Sequence, residues 1–104
     1  MDVRTVIDGM NRNLKLRFSD YRGVYFFGSR QRGDFQEDSD YDLVFVFDGK
    51  PDWRKEDQIR DIVYQHALEY DVIIDGKYYA QDEIEHYRTP FCEIVYKEGK
   101  FYGV

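Results

Sequence analysis

The run Tyr41-Asp42-Leu43-Val44-Phe45-Val46-Phe47 contains a single ionic residue, Asp42. A strand with one wet face alternates apolar and polar residues, whereas an unbroken apolar run needs cover on both faces. This run therefore predicts an interior strand in a layered structure, with other elements packed above and below it. Helices to supply that cover are legible on both sides. Val3, Val6, Ile7, Met10 and Leu14 recur at helical spacing and predict an amphipathic helix over residues 2–18. Ile59, Ile62, Val63, His66, Ala67 and Tyr70 give a second helix a buried face, and Asp52 is placed to cap it. His66 falls on that buried face and reads as a core residue.

The remaining segments are shorter. Val24 to Phe27 predicts a strand, and Ser29 to Arg32 one helical turn ended by Gly33. Asp48 to Pro51 reads as a turn. A third strand is expected over Asp71 to Ile74, ending at Asp75-Gly76, with Tyr78-Tyr79 as a brief further pairing segment. Ile84 and Tyr87 mark a short helix. Thr89-Pro90 starts another, with Thr as cap and Pro at the first helical position, and Gly99 ends it. Residues 101–104 read as a tail. Strands alternating with helices indicate an α/β architecture with a small sheet of three to four strands flanked by helices. The 104 residues suit one domain.

The net charge of −6, with bases scattered rather than striped, argues against a nucleic-acid template, because phosphate contacts supply most of the affinity there. Cys92 has no second cysteine to pair with and fits a reducing compartment. Residues 1–10 carry two acids and lack the apolar core of a signal peptide. No apolar run approaches membrane-spanning length. The expectation is a cytoplasmic protein. Aromatic residues make up 18% of the chain and are read as a compact core.

The chemistry concentrates at Gly28-Ser29 and Asp40-Tyr41-Asp42, ten residues apart. A glycine after a strand lets the backbone turn sharply and lets a ligand approach closely. The helical turn that follows offers free N–H groups, which favour phosphate, and Ser29 adds a hydroxyl. Arg30 and Arg32 stand just beyond and can contact phosphate oxygens or partner acids. Asp40 and Asp42 are alternate residues, so both carboxylates can face one site. Side by side they repel each other, and a divalent cation reverses that cost by taking hard oxygen ligands. A third carboxylate is expected from Asp71 at the start of the third strand. Asp75 competes, although a turn acid beside Gly76 is its simpler account. Three such acids holding two Mg²⁺ ions suit in-line displacement at the α-phosphate of a nucleoside triphosphate, with the third Asp available as base. Arg32-Gly33-Asp34, Glu37-Asp38 and His86 are read as incidental surface features.

The segment FGSRQRGDFQEDSDYDLVFVF resembles the signature of the polymerase beta-like nucleotidyltransferase superfamily: a Gly-Ser helical turn, then Asp-x-Asp on the next strand. Ser39 before the Asp pair and the small size resemble its minimal nucleotidyltransferases. Tyr70-Asp71-Val72-Ile73 resembles the third-carboxylate strand, and Thr89 to Gly99 the closing helix. The resemblance implies that Gly28 and Ser29 bind the triphosphate of ATP and that Asp40, Asp42 and Asp71 bind metal. It also implies a partner. Minimal nucleotidyltransferases commonly act as antitoxins beside a HEPN-domain RNase toxin, several by transferring AMP to a tyrosine of that toxin, so the assembly would join two different chains. Two other readings stand beside this one. The chain could neutralise its partner by covering it, or could nucleotidylate a small molecule, which usually needs an additional helical domain.

Overall fold

A computed structural model describes residues 2–33 and 40–104. Helix α1 (Val3–Arg17) leads to strand β1 (Tyr21–Phe27) and the single turn α2 (Ser29–Arg32). Strand β2 (Tyr41–Phe47) is followed by α3 (Trp53–Tyr70) and β3 (Ile74–Ala80). Helices α4 (Gln81–Glu85) and α5 (Pro90–Glu98) precede β4 (Lys100–Gly103). The caps are the ones the sequence indicates. Asp52 accepts from Lys55 N at 2.9 Å, and Thr89 accepts from Cys92 N at 3.2 Å ahead of Pro90.

The four strands form one mixed sheet in the order β3-β2-β1-β4. β1 is antiparallel to both neighbours, while β2 and β3 run parallel, joined through α3. β2 is interior, and Leu43 to Phe47 are all buried, as the apolar run requires. Alternate residues serve opposite layers. Leu43, Phe45 and Phe47 pack with α1 and α3 through Ile7, Met10 and Ile59. Val44 and Val46 pack with α4 and α5 through Ile84, Cys92 and Val95. Fully burying one such side chain contributes about 1.5–3 kcal/mol, so β2 anchors both layers.

Three expectations are corrected here. β1 begins at Tyr21 rather than Val24, because Tyr21 is buried and pairs with Phe47. Its hydroxyl donates to Asn11 Oδ1 of α1, and Asn11 Nδ2 donates to Tyr102 O at 3.1 Å. That second bond ties α1 to the terminal segment. Residues 100–103 are a strand on the free edge of β1, not a tail. The third strand lies later than expected and takes in Tyr78-Tyr79. Its Gly76 passes over Phe45 so closely that a Cβ there would sit 3.2 Å from the ring.

His66 is buried as expected, with Nε2 2.8 Å from Asn13 Nδ2 between α1 and α3. Among the described residues no helix is long and apolar enough to cross a membrane. Residues 34–39, which include Asp34, Glu37, Asp38 and Ser39, lie outside the described residues.

Candidate active site

The C-terminal end of β1 and the N-terminal ends of β2, β3 and β4 meet at one end of the sheet. Phe27, the last residue of β1, stands opposite Asp42. The chain then turns at Gly28 with φ 85° and ψ −165°, a backbone region essentially confined to glycine. A Cβ at this position would lie 2.1 Å from Asp42 Oδ2 and 2.9 Å from its Cγ. Glycine is thus required twice, once by the backbone and once by the carboxylate pressed against it. The two halves of the sequence motif are in contact. Ser29 opens the following turn, which is closed by Arg32 N donating to Gly28 O at 3.1 Å and Gly33 N to Ser29 O at 2.9 Å.

Asp75, on β3, is the register partner of Asp42 on β2. Directly paired strand positions share a face, so Asp42 and Asp75 project to the same side. That side carries Val44 and Val46 and is covered farther down by α4 and α5. Asp40 precedes Asp42 by two positions and is exposed. The acids influence one another. Burial, then the Asp75 charge, pushes the Asp42 carboxyl above its usual range; Lys77 opposes this, Asp40 adds to it and Arg32 opposes it again.

Asp71 does not stand where the sequence expectation put it. It is the C-cap of α3, in the left-handed conformation at φ 53°. Its N–H and that of Val72 close the helix onto Leu68 O and Ala67 O at 3.3 and 3.0 Å. Pairing with β2 starts only when Tyr41 N donates to Ile73 O at 2.8 Å. Asp71 is therefore a helix-terminal residue, one of those lining a groove between α3 and β3. The position beside Asp42 falls to Asp75. Arg30 is held against Tyr41, with Nη1 3.2 Å from the hydroxyl and the guanidinium 4.3 Å above the ring centroid. Arg32 acts on Asp42. Lys77, which the sequence reading passed over, places Nζ 3.2 Å from Asp75 Oδ2.

The sequence profile of the nucleotidyltransferase domain family matches residues 7–102. This chain belongs to that family. The nucleotidyltransferase is 32% identical over 71 residues to a Methanocaldococcus jannaschii protein provisionally named a protein adenylyltransferase, a match covering 62% of this chain and 72% of that one. Its fold is similar to that in a crystal structure of a toxin–antitoxin with AMP-PNP, at a TM-score of 0.68 and 20% identity over 96% of this chain and 73% of the other. It is also similar to a Sulfolobus solfataricus protein provisionally named a nucleotidyltransferase, at a TM-score of 0.62 and 23% identity over 94% and 77% of the two chains. At those identities the solved structures attest the fold.

Among the described residues, no three His, Cys, Asp or Glu side chains converge as they stand closely enough to hold a metal ion. The chemistry of the donors nonetheless fits one. Asp40, Asp42 and Asp75 offer only hard oxygen ligands, as Mg²⁺ prefers. Burial first, and the Asp75 and Asp40 charges after it, raise the Asp42 carboxyl, and a bound cation relieves the part that comes from the neighbouring acids.

Proposed function

We propose that this nucleotidyltransferase is a Mg²⁺-dependent adenylyltransferase that moves AMP from ATP to a tyrosine hydroxyl of a HEPN-type RNase and so acts as its antitoxin in the cytoplasm. The observation that carries the proposal is the contact of Gly28 with the Asp42 carboxylate, with Asp75 in register beside it. It brings the turn suited to phosphate and the acids suited to metal into one place. The name of the M. jannaschii relative supports a protein as acceptor. The toxin–antitoxin with AMP-PNP supports the nucleotide and the class of partner.

In this reading Asp40, Asp42 and Asp75 hold the metal, with Asp75 replacing Asp71 in the set. Bound Mg²⁺ would polarise the α-phosphate and neutralise charge on the pyrophosphate. The protein's own groups do the rest. The backbone of the Gly28 turn and the Ser29 hydroxyl hold the β- and γ-phosphates, and Arg30 and Arg32 stand within the same turn to add charge. A carboxylate of the set takes the proton from the acceptor hydroxyl. The acceptor oxygen bonds to the α-phosphorus as the bond from that phosphorus to the bridging oxygen breaks, and pyrophosphate leaves.

The test is incubation with Mg²⁺-ATP and a HEPN-type RNase, taken from the neighbouring reading frame where one is found there, read by mass spectrometry of the RNase. Adenylylation that disappears with Asp40→Asn or Asp42→Asn, in variants that stay folded, is the expected result. Transfer that survives both substitutions would refute the assignment. The net charge of −6 favours one second reading, in which the acidic surface neutralises a basic RNase by docking alone. In that case Asp42→Asn still silences the RNase and no adenylyl group appears.

A further inference from the structure

Lys77 stands two positions after Asp75 on β3 and therefore points to the same face as Asp42 and Asp75. Its ammonium lies 3.2 Å from Asp75 Oδ2 and 5.6 Å from the centroid of the Phe91 ring. Phe91 belongs to the first turn of α5 and packs edge-on against Phe27, which faces Asp42 across the sheet. An aromatic floor thus sets Lys77 at the rim of the acid site rather than leaving it to sweep through solvent. The Asp75–Lys77 pair is half-exposed on both sides, and pairs of that kind contribute little to stability. Stability is therefore a weak reason for the lysine to be there.

A metal ion entering the acid site would compete with the Lys77 ammonium for the Asp75 carboxylate. An ammonium released from Asp75 would stay on the face of the sheet that carries the acids, within reach of the anion that comes with the metal. Resting on the nucleotidyl-transfer reading, we infer that Lys77 is a triphosphate-binding residue, which exchanges Asp75 for a β- or γ-phosphate oxygen when the metal–nucleotide complex enters. Three donors on a flexible stem suit the phosphate tail, which has oxygens in several directions. Its location on the edge strand allows the exchange without moving the backbone.

Calorimetric titration of wild type, Lys77→Gln and Lys77→Arg with Mg²⁺-ATP, with Mg²⁺-AMP, and with Mn²⁺ alone tests the inference. In Lys77→Gln, affinity for Mg²⁺-ATP should fall about tenfold, the size of one charge-assisted hydrogen bond. Affinity for Mg²⁺-AMP should stay within about twofold and Mn²⁺ should bind no more weakly, because the ammonium no longer competes for Asp75. Lys77→Arg should recover most of the loss. Unchanged Mg²⁺-ATP affinity, or an equal loss for AMP, overturns the role of Lys77 while leaving nucleotidyl transfer intact. A wild-type chain that binds Mn²⁺ but not Mg²⁺-ATP overturns the transfer reading itself, and the role of Lys77 with it.

Discussion

Replacing Gly28 by Ala tests the contact that joins the two halves of the site. The substitution imposes two separable costs. Holding a residue with a Cβ at φ 85° and ψ −165° costs about 1–3 kcal/mol. Forcing that Cβ into the Asp42 carboxylate, 2.1 Å from Oδ2, adds an overpacking cost of about 1–3 kcal/mol. The sum, about 2–6 kcal/mol, is a large part of the roughly 5–15 kcal/mol that stabilises a domain. A double-mutant cycle with Asp42→Ala separates the terms. Without the carboxylate, the remaining close approach is 3.2 Å, to Asp42 Cβ. Gly28→Ala in that background should cost only the backbone part. The cycle should therefore show about 1–3 kcal/mol of coupling, with the double variant more stable than additivity predicts. Urea denaturation followed by circular dichroism is the assay, and with a slope of about 1–3 kcal/mol per M the coupling appears as roughly 1 M in midpoint. Costs that add to within about 0.5 kcal/mol would refute the contact and the site built on it.

Asp75→Asn should reduce adenylyl transfer at least about a hundredfold, or ~2.7 kcal/mol of transition-state stabilisation, while Asp71→Asn stays within about threefold of wild type; the opposite ranking would restore Asp71 to the metal set. The raised Asp42 carboxyl predicts a pH dependence of stability. The folded chain holds this proton more tightly than the unfolded chain, so the penalty is absent below the ordinary carboxylate range and grows as pH rises through the raised value. Asp42→Asn should match wild type in acid and exceed it near neutrality in urea midpoint, and a difference that does not vary with pH would remove the burial argument. Tyr21→Phe leaves Asn11 Oδ1 buried without the Tyr21 donor and should cost about 1–3 kcal/mol, with transfer retained; a loss under about 0.5 kcal/mol would mean that water replaces the hydroxyl.

What was legible in the chain is what local pattern encodes. The β2 run, the helical spacing of α1 and α3, and the Gly-Ser and Asp-x-Asp pairs each declare themselves within a few residues. The course of β3 does not. Tyr70 to Ile74 carries the β-formers, yet a left-handed cap at Asp71 keeps the first of these residues in the helix end. Asp75-Gly76-Lys77 has the composition of a turn, and pairing with β2 overrides it, since strand preference reflects the neighbours more than the residue. One signal was present. Asp75, Lys77 and Tyr79 alternate with Ile74, Gly76 and Tyr78, a period of two that puts the acid, the lysine and an aromatic on one face. The pairing of β4 with β1 was likewise hidden, because only the partner strand identifies so short a segment.

Gly76 gives that alternation a consequence for fidelity. A slip of one residue between β2 and β3 would turn Asp75 away from Asp42 and into the layer beneath the helices. The same slip would bring Asp75 or Lys77 over Phe45, where even a Cβ at position 76 lies 3.2 Å from the ring. A charged side chain forced into that space is rejected by the core. The hydrophobic layer on the far side of the sheet thus proofreads the alignment of the acids on the near side. Substitutions at Gly76, a residue with no atom in the chemistry, would then surface as failures of catalysis.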